Sequence, residues 1–76
     1  MIEYYLFSEP GCPPCLGMET YVRELENLTI FKSAPTERKK YGIPYVPILL
    51  KMCDGVEVDR LVGLVPQARI KEFISE

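Results

Sequence analysis

The chain has 76 residues, a formal charge of −2, and a composition 47% hydrophobic against 26% charged, which is globular rather than disordered. One small domain spanning residues 1–76 is expected, and no apolar stretch approaches the roughly 20 residues of a membrane helix. Nine basic residues against eleven acidic ones argue against nucleic-acid binding, and the lack of histidine excludes imidazole general-base chemistry and histidine-containing zinc sites.

In chain order, Ile2–Phe7 is aromatic-rich and nearly all apolar, the pattern of a short strand buried on both faces. Ser8-Glu9-Pro10-Gly11 is a turn. From Cys12, the residues Cys15, Met18, Val22 and Leu25 fall at helical spacing, predicting an amphipathic helix to about Asn27. Pro13 and Pro14 suit its first turn, where missing N–H groups matter least. Leu28–Phe31 is a second strand, and strand, helix, strand over this length predicts a parallel βαβ unit.

Thr36–Tyr41 predicts one helical turn, with Thr36 as N-cap and Gly42 as stop. Two apolar runs follow, Val46–Met52 and Val56–Val62. The second alternates, which puts Val56, Val58, Arg60 and Val62 on one face and Glu57, Asp59 and Leu61 on the other. Asp54-Gly55 between the runs predicts a tight hairpin, because both residues tolerate positive φ. A last helix is expected from Pro66 to the end, with Ile70, Phe73 and Ile74 facing inward. The order β-α-β-(α)-β-β-α gives an α/β fold with a four-stranded mixed sheet covered by helices.

The N-terminus, Met1-Ile2-Glu3-Tyr4-Tyr5, has neither the basic lead-in nor the apolar stretch of a secretory signal, so the cytoplasm is the expected compartment. Three cysteines there cannot make a complete disulfide framework. Cys53 stands alone in the hairpin and reads as an exposed turn residue, with glutathionylation or dimer formation as sharper alternatives. Glu37-Arg38-Lys39-Lys40 reads as a solvated helix face, with docking to an acidic partner as the sharper alternative.

Cys12 and Cys15 form a Cys-x-x-Cys between a strand and a helix start. A thiolate attacks disulfides, and a helix N-terminus favours negative charge, so Cys12 as N-cap is the candidate nucleophile and Cys15, one turn later, the resolving thiol. The two prolines remove N–H donors that could stabilise a Cys12 thiolate, so only a moderate pKa depression is expected. A zinc site would need four ligands where the chain has three cysteines, and a buried structural pair is opposed by the polar turn before Cys12.

These residues resemble the thioredoxin superfamily over nearly the whole chain. Cys12-Pro13-Pro14-Cys15 is similar to its redox motif, and Tyr41-Gly42-Ile43-Pro44-Tyr45-Val46-Pro47-Ile48-Leu49-Leu50 resembles the thioredoxin stretch Tyr-Gly-Ile-x-x-Ile-Pro-Thr-Leu. Asp54-Gly55, Arg60-Leu61-Val62-Gly63 and a terminal helix with Lys71-Glu72-Phe73-Ile74 follow in the family's order. Thioredoxin proper begins with an extra strand and helix, so the resemblance is to a minimal, glutaredoxin-sized redoxin with helices on both faces of its sheet.

The resemblance implies a cis Pro47 packed against the redox pair, with Val46 offering its backbone to a bound substrate strand. Pro13, Pro14, Tyr45 and Gly63 join them as candidate substrate-binding residues. Leu6 falls where the family has a buried aspartate assisting proton transfer, so that base is lost unless Glu3 or Glu9 substitutes; Lys32 is similar in position to the lysine that pairs with it. Glutaredoxins hold glutathione with basic groups and a Gly-Gly pair, whereas this chain has Glu9 and Gly63-Leu64, which argues against strong glutathione binding.

The implied function is a monomeric dithiol–disulfide oxidoreductase that reduces disulfide-containing client proteins, possible clients including ribonucleotide reductase, with thioredoxin reductase or glutathione as electron donor and no cofactor or metal. A non-catalytic redoxin-fold binding module is the alternative, and a thiol oxidase or isomerase would need an oxidising compartment.

Overall fold

In a computed structural model that describes residues 1–75, β1 runs Ile2–Ser8 at the head of the chain. Successive side chains on a strand point to opposite faces, so Tyr4 and Leu6 enter one core and Phe7 the other. After it come α1 (Pro13–Val22), β2 (Leu28–Lys32), α2 (Pro35–Lys40), β3 (Ile48–Cys53), β4 (Val56–Val62) and α3 (Gln67–Ser75). The sheet order is β2-β1-β3-β4, with β1 parallel to β2 and the other pairs antiparallel. This is the expected mixed sheet and element order.

Helices lie on both faces. Met18 and Val22 of α1, with Ile70 and Phe73 of α3, pack on Tyr4, Leu6, Leu49 and Leu61. On the other face Tyr41 and Ile43, which trail α2, cover Phe7, Ile48, Leu50 and Met52. Phe7 stacks on Phe31 at 4.9 Å, and Tyr5 meets Phe31 and Tyr41 edge-on. Each fully buried Leu, Ile, Met or Phe stabilises the fold by about 1.5–3 kcal/mol. Having two small cores explains why nearly all of β3 is buried.

Four local readings are corrected. The first concerns α1, which stops at Val22 rather than Asn27, and Leu25 donates its N–H to the Val22 carbonyl instead of continuing the helix. The parallel register pairs Tyr4 with Leu28 and Ser8 with Lys32, so the crossover must span only that strand length, roughly 13 Å. Ten helical residues rise about 15 Å, and five more would overshoot. Asn27 instead ties the turn down, its side chain donating to the Ile2 carbonyl and its own carbonyl accepting from Tyr4 N–H.

The second correction is at α2, which begins at Pro35 behind Ala34, not behind a Thr36 cap. Proline's fixed φ is already helical and it has no N–H to satisfy, so it outranks a threonine cap here. Gly42 does stop the helix, at φ +63°; its N–H donates to the Lys39 carbonyl and that of Ile43 to Arg38, while buried Ile43 seals the end.

The third is the register of β4. Met52 pairs with Glu57 and Lys51 with Asp59, leaving Val58 as the extra residue of a β-bulge. Val56 lies opposite Cys53 and Val62 opposite Ile48, so the bulge puts these valines on opposite faces rather than one. The hairpin itself is as expected, with φ of 50° at Asp54 and 83° at Gly55.

Finally, β3 starts at Ile48, two residues later than expected, because Pro47 has no N–H to give the sheet. The Val46–Pro47 peptide bond is cis. At the C-terminal end α3 opens at Gln67, its first turn bonding back to the Pro66 carbonyl from Arg69 and Ile70. The expected continuation through Glu76 lies outside the described residues.

Candidate active site

Chain register gathers the site. Phe7 pairs with Ile48, and Ile48 with Val62, so the segments beyond these residues all leave the sheet at one end. They are the Cys12–Cys15 loop, Val46-Pro47 and Gly63-Leu64. The N–H of Gly63, whose φ is +80°, donates to the Pro47 carbonyl at 2.8 Å, tying two of these loops together. A Cβ on Gly17 of α1 would come within 3.0 Å of the Leu64 side chain, so the third loop and α1 are also in close contact.

Gly11, at φ +72°, turns the chain from β1 into α1. Cys12 has extended backbone angles and is the N-cap; its Sγ accepts the N–H of Cys15 at 3.3 Å. Pro13 and Pro14 occupy the first two helical positions, as expected. The Leu16 N–H goes to the Cys12 backbone carbonyl, so it does not serve the sulfur. Cys12 and Cys15 are joined as a disulfide, with Cα atoms 5.2 Å apart. Their environments differ, since Cys12 is partly exposed and Cys15 is fully buried.

Around this pair the end of the molecule carries exposed apolar side chains, among them Leu16, Tyr45, Val62 and Leu64, each 45–57% accessible. Cys53 is a free, partly buried thiol at the far end of the sheet, where Cys53 pairs with Ile2, so it is no part of the site.

Neither acid suggested by the sequence replaces the missing carboxylate. Leu6 is fully buried and apolar. Glu3 pairs with Met52 near the far end of the sheet, and Glu9 is turned toward Arg38 at 3.5 Å. A carboxylate that the structure does largely bury is Glu19 of α1, its side chain only 12% exposed. It accepts a 2.6 Å hydrogen bond from the buried Ser8 hydroxyl and a 3.3 Å ion pair from Lys32. Sequence reading passed over Glu19, although its place four residues after Cys15 puts both on one side of the helix.

The Ser8 hydrogen bond, helped by Lys32, holds the Glu19 carboxyl below its ordinary value of 4.5 against the opposing effect of burial. A depressed folded-state pKa contributes stability above the unfolded value, and that stability is lost as pH falls through the folded one. Ser8→Ala is therefore expected to lower the urea midpoint at neutral pH. The gap to wild type should narrow as pH falls below the ordinary carboxylate value of 4.5, as the carboxylate protonates in both proteins. A gap independent of pH would mean that Ser8 acts only through packing.

No family model matches the chain. It is similar to a thioredoxin of Chlamydia trachomatis, 33% identical over 78 residues that take in 92% of this chain and 76% of that protein. A Bacillus subtilis thioredoxin is 30% identical with the same coverage. Among solved structures, a mutant thioredoxin from Halobacterium salinarum superposes with a TM-score of 0.82 at 26% identity, over 97% of this chain and 72% of that one. With a disulfide-forming Cys-Pro-Pro-Cys at a strand-to-helix corner, a cis proline at the same sheet end and these likenesses, the chain belongs to the thioredoxin family of protein-disulfide reductases.

Proposed function

We propose that the protein reduces disulfides of client proteins, with Cys12 as nucleophile and Cys15 as resolving thiol. The observation that carries this is the unequal exposure of the two sulfurs across the first turn of α1. The partly exposed Cys12 can meet a client, whereas the fully buried Cys15 can meet only Cys12. In the first step the Cys12 thiolate, held by the Cys15 N–H and the helix N-terminus, attacks a client sulfur and expels the other as a thiolate. In the second, Cys15 attacks the Cys12 Sγ, releases the client as a dithiol and leaves the Cys12–Cys15 disulfide.

Val46, ahead of cis Pro47, offers backbone groups to an extended client segment, while Tyr45, Leu16 and Leu64 supply an apolar rim. Pro13, Pro14 and Gly63, at the same end of the sheet, are further residues for the client to contact. The disulfide is then reduced again by a flavoprotein thioredoxin reductase or by glutathione. Gly63-Leu64, where glutaredoxins carry a Gly-Gly pair, disfavours strong glutathione binding, which supports the reductase as donor. Ribonucleotide reductase is a fitting client, and the cytoplasm, where reductant is plentiful, is the compartment this chemistry needs. Among the described residues no helix is long and apolar enough to cross a membrane.

The test is a dithiol-buffer titration of the Cys12–Cys15 couple, with mass readout of each cysteine. Catalytic exchange proteins fall between about −180 and −280 mV, and a value in that window is expected. A couple well below about −300 mV would be a structural disulfide, and the non-catalytic binding-module reading would replace this one.

A further inference from the structure

The stretch Ile43–Pro47 lies between α2 and β3, in neither a helix nor a strand. Its backbone must nonetheless be aimed, because Val46 offers a client main-chain groups rather than a side chain. At the Pro47 end the aim comes from β4, whose neighbouring Gly63 donates its N–H to the Pro47 carbonyl at 2.8 Å. The other end is held by the same strand. Arg60 donates from Nη2 to the Tyr41 carbonyl at 3.0 Å and from Nη1 to the Gly42 carbonyl at 3.3 Å.

These carbonyls need such a donor. Those at the end of a helix lack partners within it and carry the negative end of its dipole, and α2, with six residues, is too short to be stable alone. Glu57 grips the guanidinium from its other side, one carboxylate oxygen on Nε and the other on Nη2 at 2.7 Å. The planar fork is thereby fixed, with both side chains no more than 30% exposed.

The bulge in β4 makes the pair possible. Residues three apart on a regular strand point to opposite faces. Here Glu57 lies opposite Met52 and Arg60 opposite Leu50, with Val58 as the extra residue between, so both acids and bases of the pair stand on the sheet face that Tyr41 and Ile43 cover.

Resting on the exchange reading above, we propose that Arg60 is a positioning residue for client binding. With Gly63 it clamps both ends of the stretch from Tyr41 to Pro47 to β4, so the Val46 backbone meets a client segment already aligned. The Tyr41 ring, packed on Tyr5 and Phe7, and the buried Ile43 keep the stretch in place without Arg60, but side-chain packing does not fix where the carbonyls and N–H groups point.

The experiment mixes the reduced full chain carrying Cys53→Ser with excess oxidised insulin, quenches with acid, alkylates, and counts the Cys12–Cys15 disulfide by intact mass. The single-turnover rate against insulin concentration gives a half-saturating concentration and a limiting rate. Hydroxyethyl disulfide, small and neutral, serves as a probe that needs no backbone pairing. Arg60→Met should raise the half-saturating insulin concentration about tenfold, while the limiting rate and the rate with the small disulfide stay within about twofold.

An unchanged half-saturation in a folded Arg60→Met protein would overturn the assignment and leave the exchange mechanism standing. An equal loss toward both disulfides would also overturn it, since that is general damage to the site. Wild type that is oxidised by neither disulfide would overturn both readings. If Arg60→Met does not fold, Arg60→Lys keeps the charge and the stem but lacks the fork that serves two carbonyls and a carboxylate. It should show the same split with a factor of about three, and an unmoved half-saturation overturns the assignment.

Discussion

Cys12→Ser is expected to lower reduction of a protein disulfide by on the order of 1,000-fold or more, leaving the uncatalysed background. The serine hydroxyl is not ionised at neutral pH and forms no exchangeable bond to sulfur. Every other group can stay in place, since the N-cap hydrogen bond from the Cys15 N–H passes readily to an oxygen. Cys15→Ser is expected to fail differently. Its exposed Cys12 still attacks, but nothing resolves the product, so a Cys12–client mixed disulfide accumulates and turnover stops after one event.

Insulin reduction followed by turbidity reads the first variant, and intact mass after exposure to oxidised client reads the second. Turnover retained by Cys12→Ser would end the mechanism. A Cys15→Ser protein with no bound client would place the nucleophile elsewhere. Because Cys53 lies at the other end of the sheet, Cys53→Ser should leave both readouts unchanged.

The largest effect on stability is expected from Phe73→Ala. Its ring is fully buried between α3 and the sheet, 6.3 Å from the Tyr4 ring, with the Lys51 ammonium 5.4 Å from its centroid. The same Lys51 donates to the Phe73 carbonyl at 2.8 Å, which fastens α3 to β3. Truncating a buried phenylalanine costs about 3–5 kcal/mol. At 0.05–0.15 kcal/mol per residue, a chain of this length has about 4–11 kcal/mol in total. Phe73→Ala should therefore remove around half of the stability, read as a fall in urea midpoint by circular dichroism.

Val58→Ala is a useful contrast, since Val58 is exposed at the bulge of an edge strand and should change stability by less than about 0.5 kcal/mol. Equal effects from the two substitutions would contradict the packing described for α3.

Much of this protein is legible in the chain because its determinants are local. The Cys-Pro-Pro-Cys carries its own helix start: prolines at the first two helical positions need no hydrogen bond, and the cysteine before them caps. Asp54-Gly55 carries its hairpin through backbone angles that few other pairs adopt. The apolar periodicity of Ile70 and Phe73 carries α3. From these the element order and the candidate nucleophile follow without any three-dimensional information.

The tertiary structure decided what depends on residues distant in sequence. The end of α1 is set by the register of β1 against β2, since a parallel partner fixes how far the crossover must travel. The faces of β4 are set by a bulge that no alternation pattern reveals, because the extra residue shows only against its partner strand. The gathering of Cys12, Pro47 and Gly63 at one sheet end is set by the pairing of Phe7 with Ile48 and Ile48 with Val62. So too for Glu19, which in sequence is one acid among many on a helix. Its near-burial and its lowered pKa come from a hydroxyl eleven residues before it and a lysine thirteen after, brought to it by two strands. Local backbone preference acts through neighbours in the chain, whereas burial and charge pairing act through neighbours in space.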